Sequence, residues 1–260
     1  MTDQQIGSGT YLLRGTGNVR EIVMNRPSVL NAADPAWMDD LHLALDAVEE
    51  VADLRVVVIS GIGSSFCTGI DLNALAVGNI KIEWFQSWER AMRRIELLEP
   101  ITIAKMQGYA IGGGLQIGLS CDLRIASEDA QFGLPAVLEA LIPGLGAFRL
   151  PRFIGMGRAK RMILTGELVA AKQAIEIGLV DWVAEQGQLD AVTDQVIAGL
   201  LKGSRTAQYF SKLLALGAFE QETEPVAHNY LAYQAKTIAS TEHRVAMDAY
   251  LKMKGRGTQA

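Results

Sequence analysis

Residues 108–135 read GYAIGGGLQIGLSCDLRIASEDAQFGLP, and this stretch carries the strongest structural signal in the chain. It follows the apolar run ITIAKM at 101–106, which predicts a strand, and its glycines Gly112, Gly113 and Gly114 precede apolar residues that predict a helix. The glycines would then lie in the first helical turn, where backbone N–H groups lack partners and the helix dipole is positive. Such a turn attracts an oxyanion. The alternative, that the glycines only let the helix pack close to a sheet, stays open at this point.

Strands and helices alternate on the N-terminal side of this stretch. Residues 55–60, RVVVIS, form a continuous β-branched run, which is typical of a strand buried on both faces of a sheet covered by helices. Helical periodicity precedes this run at 36–51 and follows it at 88–99. Two apolar runs around a glycine turn within 10–24 predict a hairpin at the start of the chain. The N-terminal part therefore belongs to the α/β class.

The second half of the chain has a different pattern. From Pro151 onwards, apolar residues recur at helical spacing almost throughout. No linker rich in Pro, Gly or Ser separates the two halves, and no internal repeat is found. We therefore predict an α/β core at 1–195 and a C-terminal helical region at 196–260, which packs on the core or on a neighbouring subunit.

Composition narrows the possible partners. The 24 basic and 29 acidic residues give a net charge of −5, which provides no general attraction to nucleic acid or to an anionic membrane. The two cysteines, Cys67 and Cys121, are far apart and support neither a disulfide framework nor a zinc site. The chain has no apolar signal region at its start and no run near the ~18 apolar residues of a membrane span. We expect a soluble cytoplasmic protein without a metal, in which a phosphate-bearing ligand needs a local site.

Several segments together resemble the crotonase (enoyl-CoA hydratase/isomerase) superfamily in their order and spacing. They are RPSVLNAAD (26–34), SSFCTGIDLNAL (64–75), the stretch at 108–135, IPGLGAFRLPRFIG (142–155), AAKQAIEIGLVDWVAE (170–185) and STEHRVAMDAYLKMKG (240–255). The resemblance implies a spiral of ββα turns with a C-terminal region used in trimerisation, in a homotrimer or homohexamer. It also implies an acyl-CoA or acyl-pantetheine thioester as ligand, with no cofactor beyond the coenzyme A moiety of that substrate.

The resemblance further implies which groups bind the thioester. The backbone N–H groups of Ile70 and Gly113 would form an oxyanion hole for its carbonyl oxygen. The matching loops that would wrap the coenzyme A and border the hole contribute Leu30, Asn31, Cys67, Gly69, Asp71 and Gly112. Lys252 and Lys254 would reach the coenzyme A phosphates, although the closest register places Met253 where some relatives have a lysine. A solvated helix face is the alternative role of these lysines.

The chain departs from the family at the two catalytic positions. Hydratases of the family have one glutamate directly after GGGx and another after the proline of QFGxP, where this chain has Gln116 and Ala136. Glutamine offers one carbonyl acceptor and two N–H donors but cannot take a proton at neutral pH, and alanine supplies no chemistry. Each acid–base group typically contributes ~10²- to 10⁴-fold to the rate. Hydration by two glutamates is therefore expected to be largely lost, with Gln116 and Ala136 left as substrate-contacting positions.

Another carboxylate lies nearby in the sequence. Glu139 follows Ala136 by three residues, so a helical turn would place both on one face, and we predict Glu139 as a candidate catalytic residue. An ordinary salt bridge from Glu139 to Arg149 or Arg152 is the alternative. Some other family members have a carboxylate just after the turn at 142–143, where this chain has Gly144.

Two functions remain open from the sequence, and a third, classical enoyl-CoA hydration, rests only on the family resemblance. The first is a crotonase-fold isomerase, hydrolase, lyase or decarboxylase that stabilises a thioester enolate at Ile70 and Gly113, with Glu139 or the substrate itself moving the proton. The second is a non-catalytic acyl-CoA carrier or regulatory binder. The intact glycine turns fit both functions, whereas the loss of both glutamates favours the binder. The aromatic residues spaced for one helical face would pack in the core or line an acyl tunnel; they are Trp84, Phe85 and Trp88.

Overall fold

A computed structural model of the chain describes residues 3–218 and the single residues 236, 239, 241 and 245. The chain divides into two compact units, Met1–Ile197 and Ala198–Ala260. The main sheet and the cavity described below belong to the first unit. The role of residues 196–260 in trimerisation stays a prediction.

Seven strands form the main sheet. In their spatial order they are β1 (Gln4–Ile6), β2 (Tyr11–Arg14), β3 (Val19–Met24), β4 (Val56–Gly61), β5 (Ile101–Met106), β7 (Leu123–Ser127) and β10 (Trp182–Ala184). The first three strands pair antiparallel, which confirms the predicted hairpin, and β3 to β10 pair parallel. The β-branched run at 56–60 is the buried central strand, as predicted. Strand β1 was not predicted because Gln4 and Gln5 are exposed and give it no apolar pattern.

A second row of shorter segments completes the core. Strands β6 (Tyr109–Ile111), β8 (Gln131–Gly133) and β9 (Val169–Ala170) form a three-stranded sheet. Isolated parallel bridges join Ala33 to Ile70 and Cys67 to Ala110, and they continue this row. The turns that begin at β3, β4, β5 and β7 thus each give one strand to the main sheet, one short segment to the row and then a helix. This repetition confirms the spiral of ββα turns that the family resemblance implies.

Helices follow the short segments. Those of the described residues are α1 (Pro35–Glu49), α2 (Leu72–Ala76), α3 (Ile82–Leu97), α4 (Gly113–Ser120), α5 (Gly146–Ile154), α6 (Met156–Thr165), α7 (Ala171–Glu176), α8 (Leu189–Leu200) and α9 (Arg205–Gly217). Short 3₁₀ helices cover Pro27–Val29 and Pro135–Glu139. Within the described part of the chain, none of these helices has the length and hydropathy to cross a bilayer.

The helical part of the chain begins earlier than Pro151, where its start was predicted, because helix α5 was not predicted. Helix α5 begins at Gly146 and contains Pro151 in its interior. Its side chains Leu150 and Ile154 are buried, and this burial outweighs the backbone hydrogen bond that a proline cannot donate. The early start matters because the loop before α5 borders the cavity.

Candidate functional site

A cavity of about 1040 Å³ opens in the first unit. Its walls come from the 3₁₀ helix and loop at 28–32, the bridge segment at 68–73, helix α3, the start of α4 and the segment 135–145. Four of these follow strands of the main sheet or the shorter row, where parallel α/β folds commonly bind ligands. The site therefore collects residues that lie far apart in the sequence.

Two backbone N–H groups meet at the wall of this cavity. Gly69, at φ +91°, comes so close to α4 that a Cβ atom there would lie 2.6 Å from the backbone nitrogen of Gly113. Ala33 N donates to Gly69 O and Asp71 N to Ala33 O, so the N–H of Ile70 points away from Ala33. Neither Ile70 N–H nor Gly113 N–H has an acceptor among the described residues. Two unpartnered donors thus border one cavity, the arrangement that an oxyanion requires.

Asn31 holds the loops behind these donors. It is fully buried at φ +58°, its Nδ2 donates to the carbonyl oxygens of Ile62, Ser65 and Phe66, and its Oδ1 accepts from Arg26 N. Buried amides satisfied this completely are structural. Asn31 therefore supports the predicted coenzyme A loop from behind, whereas its neighbours Leu30 and Ala32 line the cavity.

Asp71 and Leu30 line the cavity while tied to the scaffold. Asp71 Oδ1 accepts from the first N–H groups of α2, and its Oδ2 lies 3.4 Å from Arg26 Nη2. Leu30 adopts a left-handed φ of +52°, and its carbonyl oxygen accepts from Thr68 N. These contacts fix the segments that precede and follow the Ile70 donor, so the donor is held before any ligand arrives.

Cys67 lies behind the cavity wall. Its thiol donates to Asn31 O and accepts from Gly69 N, and burial raises the pKa of the Cys67 thiol to about 12. A thiol with this pKa is not a nucleophile at neutral pH.

We expect native Cys67 to resist iodoacetamide at pH 8. With a pKa near 12, only on the order of 10⁻⁴ of the thiol is ionised at that pH, and the side chain is buried. Labelling a Cys121→Ser variant and counting adducts by intact mass isolates Cys67. The same variant in denaturant provides the positive control and should label fully. Rapid native labelling would mean that the segment behind the oxyanion donors opens readily.

Aromatic side chains of α3 pack against the start of α4. Trp84 stacks on Trp88 with ring centroids 5.3 Å apart, Trp88 stacks on Trp37 at 5.7 Å, and Phe85 meets Trp84 edge-on. A Cβ atom at Gly113 would lie 2.7 Å from the Trp88 ring. The aromatic residues of α3 line the cavity, and Trp88 is also part of the core. The two predicted roles, core packing and lining of an acyl tunnel, are therefore compatible with each other.

The positions of the two family glutamates lie at the cavity. Gln116 is 7% exposed, and its Oε1 accepts from Trp88 Nε1 at 3.3 Å, which assigns the amide orientation. Ala136 is half-buried in the 3₁₀ helix that ends with Glu139. Glu139 borders the cavity too, but it is exposed. The predicted alternative is wrong, because Glu139 forms a salt bridge with neither Arg149 nor Arg152, and the Arg149 guanidinium contacts two other carboxylates.

One of those carboxylates belongs to Glu89, a cavity residue that the sequence did not reveal. Glu89 Oε1 accepts from Leu145 N at 2.9 Å, and Oε2 accepts from Arg149 Nη1 at 2.8 Å. A Cβ atom at Gly144 would lie 2.8 Å from Glu89 Oε1 and 3.0 Å from Gln116 Oε1, so the two oxygens flank the same glycine. The sequence WERAMRR around Glu89 reads as an ordinary charged helix face, and nothing in it marks this residue.

The structure thus brings most of the predicted site residues to one cavity. Those that line it are Leu30, Ile70, Asp71, Gly112, Gly113, Gln116, Ala136 and Glu139. Asn31, Cys67 and Gly69 lie behind the wall, and Lys252 and Lys254 fall outside the described residues. Among the described residues, no group of three or more His, Cys, Asp or Glu side chains is arranged to hold a metal ion.

Known proteins share this sequence pattern and this fold. The sequence profile of the enoyl-CoA hydratase/isomerase family matches residues 14–256. A short-chain-enoyl-CoA hydratase of Clostridium acetobutylicum is 35% identical over 205 residues, which cover 77% of this chain and 78% of the relative. The crystal structure of an enoyl-CoA hydratase from Bacillus anthracis matches at a TM-score of 0.88 and 29% identity, covering 94% of this chain and 96% of the other. A Thermobifida fusca protein solved in complex with CoA matches at a TM-score of 0.82 and 28% identity, covering 88% and 93% of the two chains.

Proposed function

Because the chain belongs to the enoyl-CoA hydratase/isomerase family, we propose that it binds an acyl-CoA or acyl-pantetheine thioester and stabilises its enolate. The observation that carries this proposal is the pair of unpartnered N–H groups of Ile70 and Gly113 at one cavity wall. A thioester carbonyl oxygen placed between them gains negative charge as the enolate forms. The hydrogen bonds then strengthen, and an enzyme accelerates a reaction only through such differential binding.

The cavity suits the two ends of such a ligand. Its volume of about 1040 Å³ is at the upper end of the range for small-molecule sites, and Trp84, Phe85 and Trp88 provide an apolar wall for an acyl group. The related protein from Thermobifida fusca was solved with CoA bound. Contacts of Lys252 and Lys254 with the coenzyme A phosphates are part of this proposal. The proposed chemistry uses no cofactor beyond the coenzyme A moiety.

Hydration by the usual two glutamates is impaired in this proposal. Gln116 occupies one of the two positions with an amide that cannot take a proton, and Ala136 occupies the other. The same replacements favour a second candidate function, a non-catalytic acyl-CoA carrier or regulatory binder. Either function is proposed for a homotrimer or homohexamer in a reducing cytoplasm, in keeping with the two buried cysteines, Cys67 and Cys121.

The experiment incubates saturated, enoyl and malonyl-type acyl-CoAs with near-stoichiometric protein in deuterated buffer and follows their masses. We expect bound thioesters to gain deuterium at the α-carbon, because enolate formation exchanges that proton. Water addition, thioester cleavage and decarboxylation leave other mass changes. Thioesters that bind but return unchanged would establish the carrier function, and thioesters that do not bind at all would refute both.

A matched pair of variants at one position tests the oxyanion hole itself. Gly113→Pro removes the N–H group, and a proline is tolerated at the first position of a helix, whereas Gly113→Ala keeps the N–H group. Both add a Cβ atom close to the Trp88 ring, so this part of their steric cost is shared, and the proline variant differs in its lost N–H group and in the Cδ atom that replaces the hydrogen. We expect exchange to be about 10²- to 10³-fold slower in the proline variant than in the alanine variant. Equal rates would remove Gly113 from the hole.

A further inference from the structure

The side chain of Glu89 offers a carboxylate where the family glutamates are missing. It reaches the cavity from α3, and it flanks Gly144 together with Gln116. Its contact with Leu145 N spans 56 residues of sequence and its contact with Arg149 spans 60. The fold, and not a local motif, therefore builds this constellation.

We propose that Glu89 is a catalytic residue that holds a water molecule and moves its proton in the hydration of an α,β-unsaturated acyl thioester. This inference rests on the proposed function, because it requires the thioester oxygen at the Ile70 and Gly113 donors. It replaces the two missing glutamates by one carboxylate from another helix. The substrate class is an enoyl thioester, and the product is the corresponding 3-hydroxyacyl thioester.

The contacts of Glu89 leave one oxygen for this task. Arg149 Nη1 holds Oε2, and Arg149 itself is 6% exposed, so this anchor is rigid. Oε1 accepts the N–H of Leu145, which orients the oxygen without exhausting its lone pairs, and it faces the side of Gly144 where Gln116 lies. The side chain of Glu89 is 25% exposed and therefore reachable by water.

Gln116 complements this oxygen. Gln116 Oε1, the atom that flanks Gly144 together with Glu89 Oε1, accepts the indole N–H of Trp88 and keeps a second lone pair. A water molecule between these two oxygens would donate one proton to Glu89 and the other to Gln116 Oε1. Gln116 acts here as a positioning group, which agrees with its inability to take a proton.

The reaction step balances with these groups alone. Glu89 takes a proton from water as the water oxygen forms a C–O bond to the β-carbon of the enoyl thioester. The π electrons of the C=C bond form a double bond between the α-carbon and the thioester carbon, and those of the C=O bond move to the oxygen, where the Ile70 and Gly113 N–H groups hold the enolate. Glu89 then returns the proton to the α-carbon, the C=O bond reforms, and the carboxylate is regenerated. The net change is the addition of one water molecule across the double bond.

The other carboxylates on the cavity wall are less suited. Asp71 uses Oδ1 to accept the first N–H groups of α2 and Oδ2 to contact Arg26. Glu139 is exposed at the end of its 3₁₀ helix, and no hydrogen bond or ion pair holds its carboxylate among the described residues. Of the three acidic side chains that line the cavity, Glu89 alone is both anchored and directed towards a second polar group.

The test compares Glu89→Gln with Glu83→Gln. Glu83 lies on the same helix, is exposed and does not border the cavity, so its variant makes the same charge change outside the site. Hydration of a short enoyl-CoA is followed by the loss of its conjugated absorbance, and binding of the saturated analogue by calorimetry. We expect Glu89→Gln to lose about 10²- to 10⁴-fold in kcat with a nearly unchanged Kd, and Glu83→Gln to match the unsubstituted protein.

The Glu89→Asp variant distinguishes a catalytic from a structural role, because it keeps the carboxylate. At equal melting temperature it should retain more activity than Glu89→Gln. Equal hydration by the unsubstituted protein and Glu89→Gln would overturn the proposal, as would loss in Glu139→Gln with Glu89→Gln unaffected. Thioester binding with α-exchange but without any hydration would overturn the role of Glu89 and leave the proposed function standing. Absence of thioester binding would refute the proposed function itself.

Discussion

Replacing Gly114 by alanine is expected to destabilise the protein and to disable the site in one step. A Cβ atom at Gly114 would lie 2.0 Å from Cys67 O and 2.8 Å from Cys67 C, both backbone atoms that cannot rotate away. Overpacking of a core typically costs ~1–3 kcal/mol, and a clash with backbone belongs at or above the upper end. We expect the free energy of unfolding to fall by about 3 kcal/mol, which lowers Tm by roughly 6–12 °C in a domain of this size.

Catalysis should suffer in Gly114→Ala because the clash separates the two oxyanion donors. Cys67 precedes Ile70 by three residues and Gly114 follows Gly113 directly, so relieving the overlap moves the donors apart. A displacement of about 1 Å at a reacting centre can cost ~10²-fold in rate. Calorimetry and the deuterium-exchange assay measure the two effects.

Gly118→Ala is the matched control, since it adds the same methyl group to the same helix. Its Cβ atom would meet only the flexible thioether of Met106, at 3.0 Å from the sulfur. Alanine is the better helix former by about 1 kcal/mol, which offsets the cost of moving Met106. A Gly114→Ala protein as stable and as active as Gly118→Ala would show that the close approach of α4 to Cys67 does not shape the site.

The fold was predictable wherever one period dominates a segment. The β-branched run of β4 and the helical spacing of α1 identified the α/β class. A strand buried on both faces is a continuous apolar run, whereas a helix buried on one face has apolar residues every three or four positions. Strand β1 could not be predicted, since a three-residue edge strand needs only one buried side chain, Ile6. Helix α5 was not predicted because a proline such as Pro151 disfavours a helix interior. The burial of its apolar side chains in the folded protein outweighs this local preference.

The glycine turns of the site were predictable from local sequence, because glycines mark turns and close approaches. The family resemblance supplied the Ile70 and Gly113 donors within those turns, and it also supplied the positions of Gln116 and Ala136 at the cavity. Glu89 depends on where α3 lies against the loop before α5, and its contact with Leu145 joins residues 56 positions apart. A single sequence carries no record of such a contact. The charged residues around Glu89 on α3 also make it hard to recognise in the sequence, because a charged helix face is normally solvated.

Replacing Arg149 by methionine is the second variant with a large expected effect. Arg149 Nε donates to Glu96 Oε1 at 2.6 Å and Nη1 donates to Glu89 Oε2 at 2.8 Å. The side chain of Arg149 is 6% exposed and that of Glu96 is 9% exposed. Removing one partner of a buried ion pair typically costs ~3–5 kcal/mol. Arg93 still holds Glu96 Oε2, so we expect a loss near the low end, about 3 kcal/mol in the free energy of unfolding.

The same variant removes the anchor of Glu89. With Oε2 unheld, the carboxylate should sample several positions in the cavity, and we expect kcat for enoyl-CoA hydration to fall ~10- to 100-fold. Arg124→Met is the control for buried charge loss. Arg124 is 5% exposed and pairs with Asp181 in the first unit without bordering the cavity, so its replacement should lower Tm but leave kcat per folded molecule unchanged.

The double variant Arg149→Met, Glu96→Leu separates stability from positioning. Replacing both charges of a buried pair by apolar side chains is often neutral for stability, so Tm should return towards that of the unsubstituted protein. Glu89 still lacks its anchor in the double variant, so kcat should stay low while the melting temperature recovers. If kcat recovered together with Tm, Arg149 would act through stability alone, and the orientation of Glu89 would not depend on it.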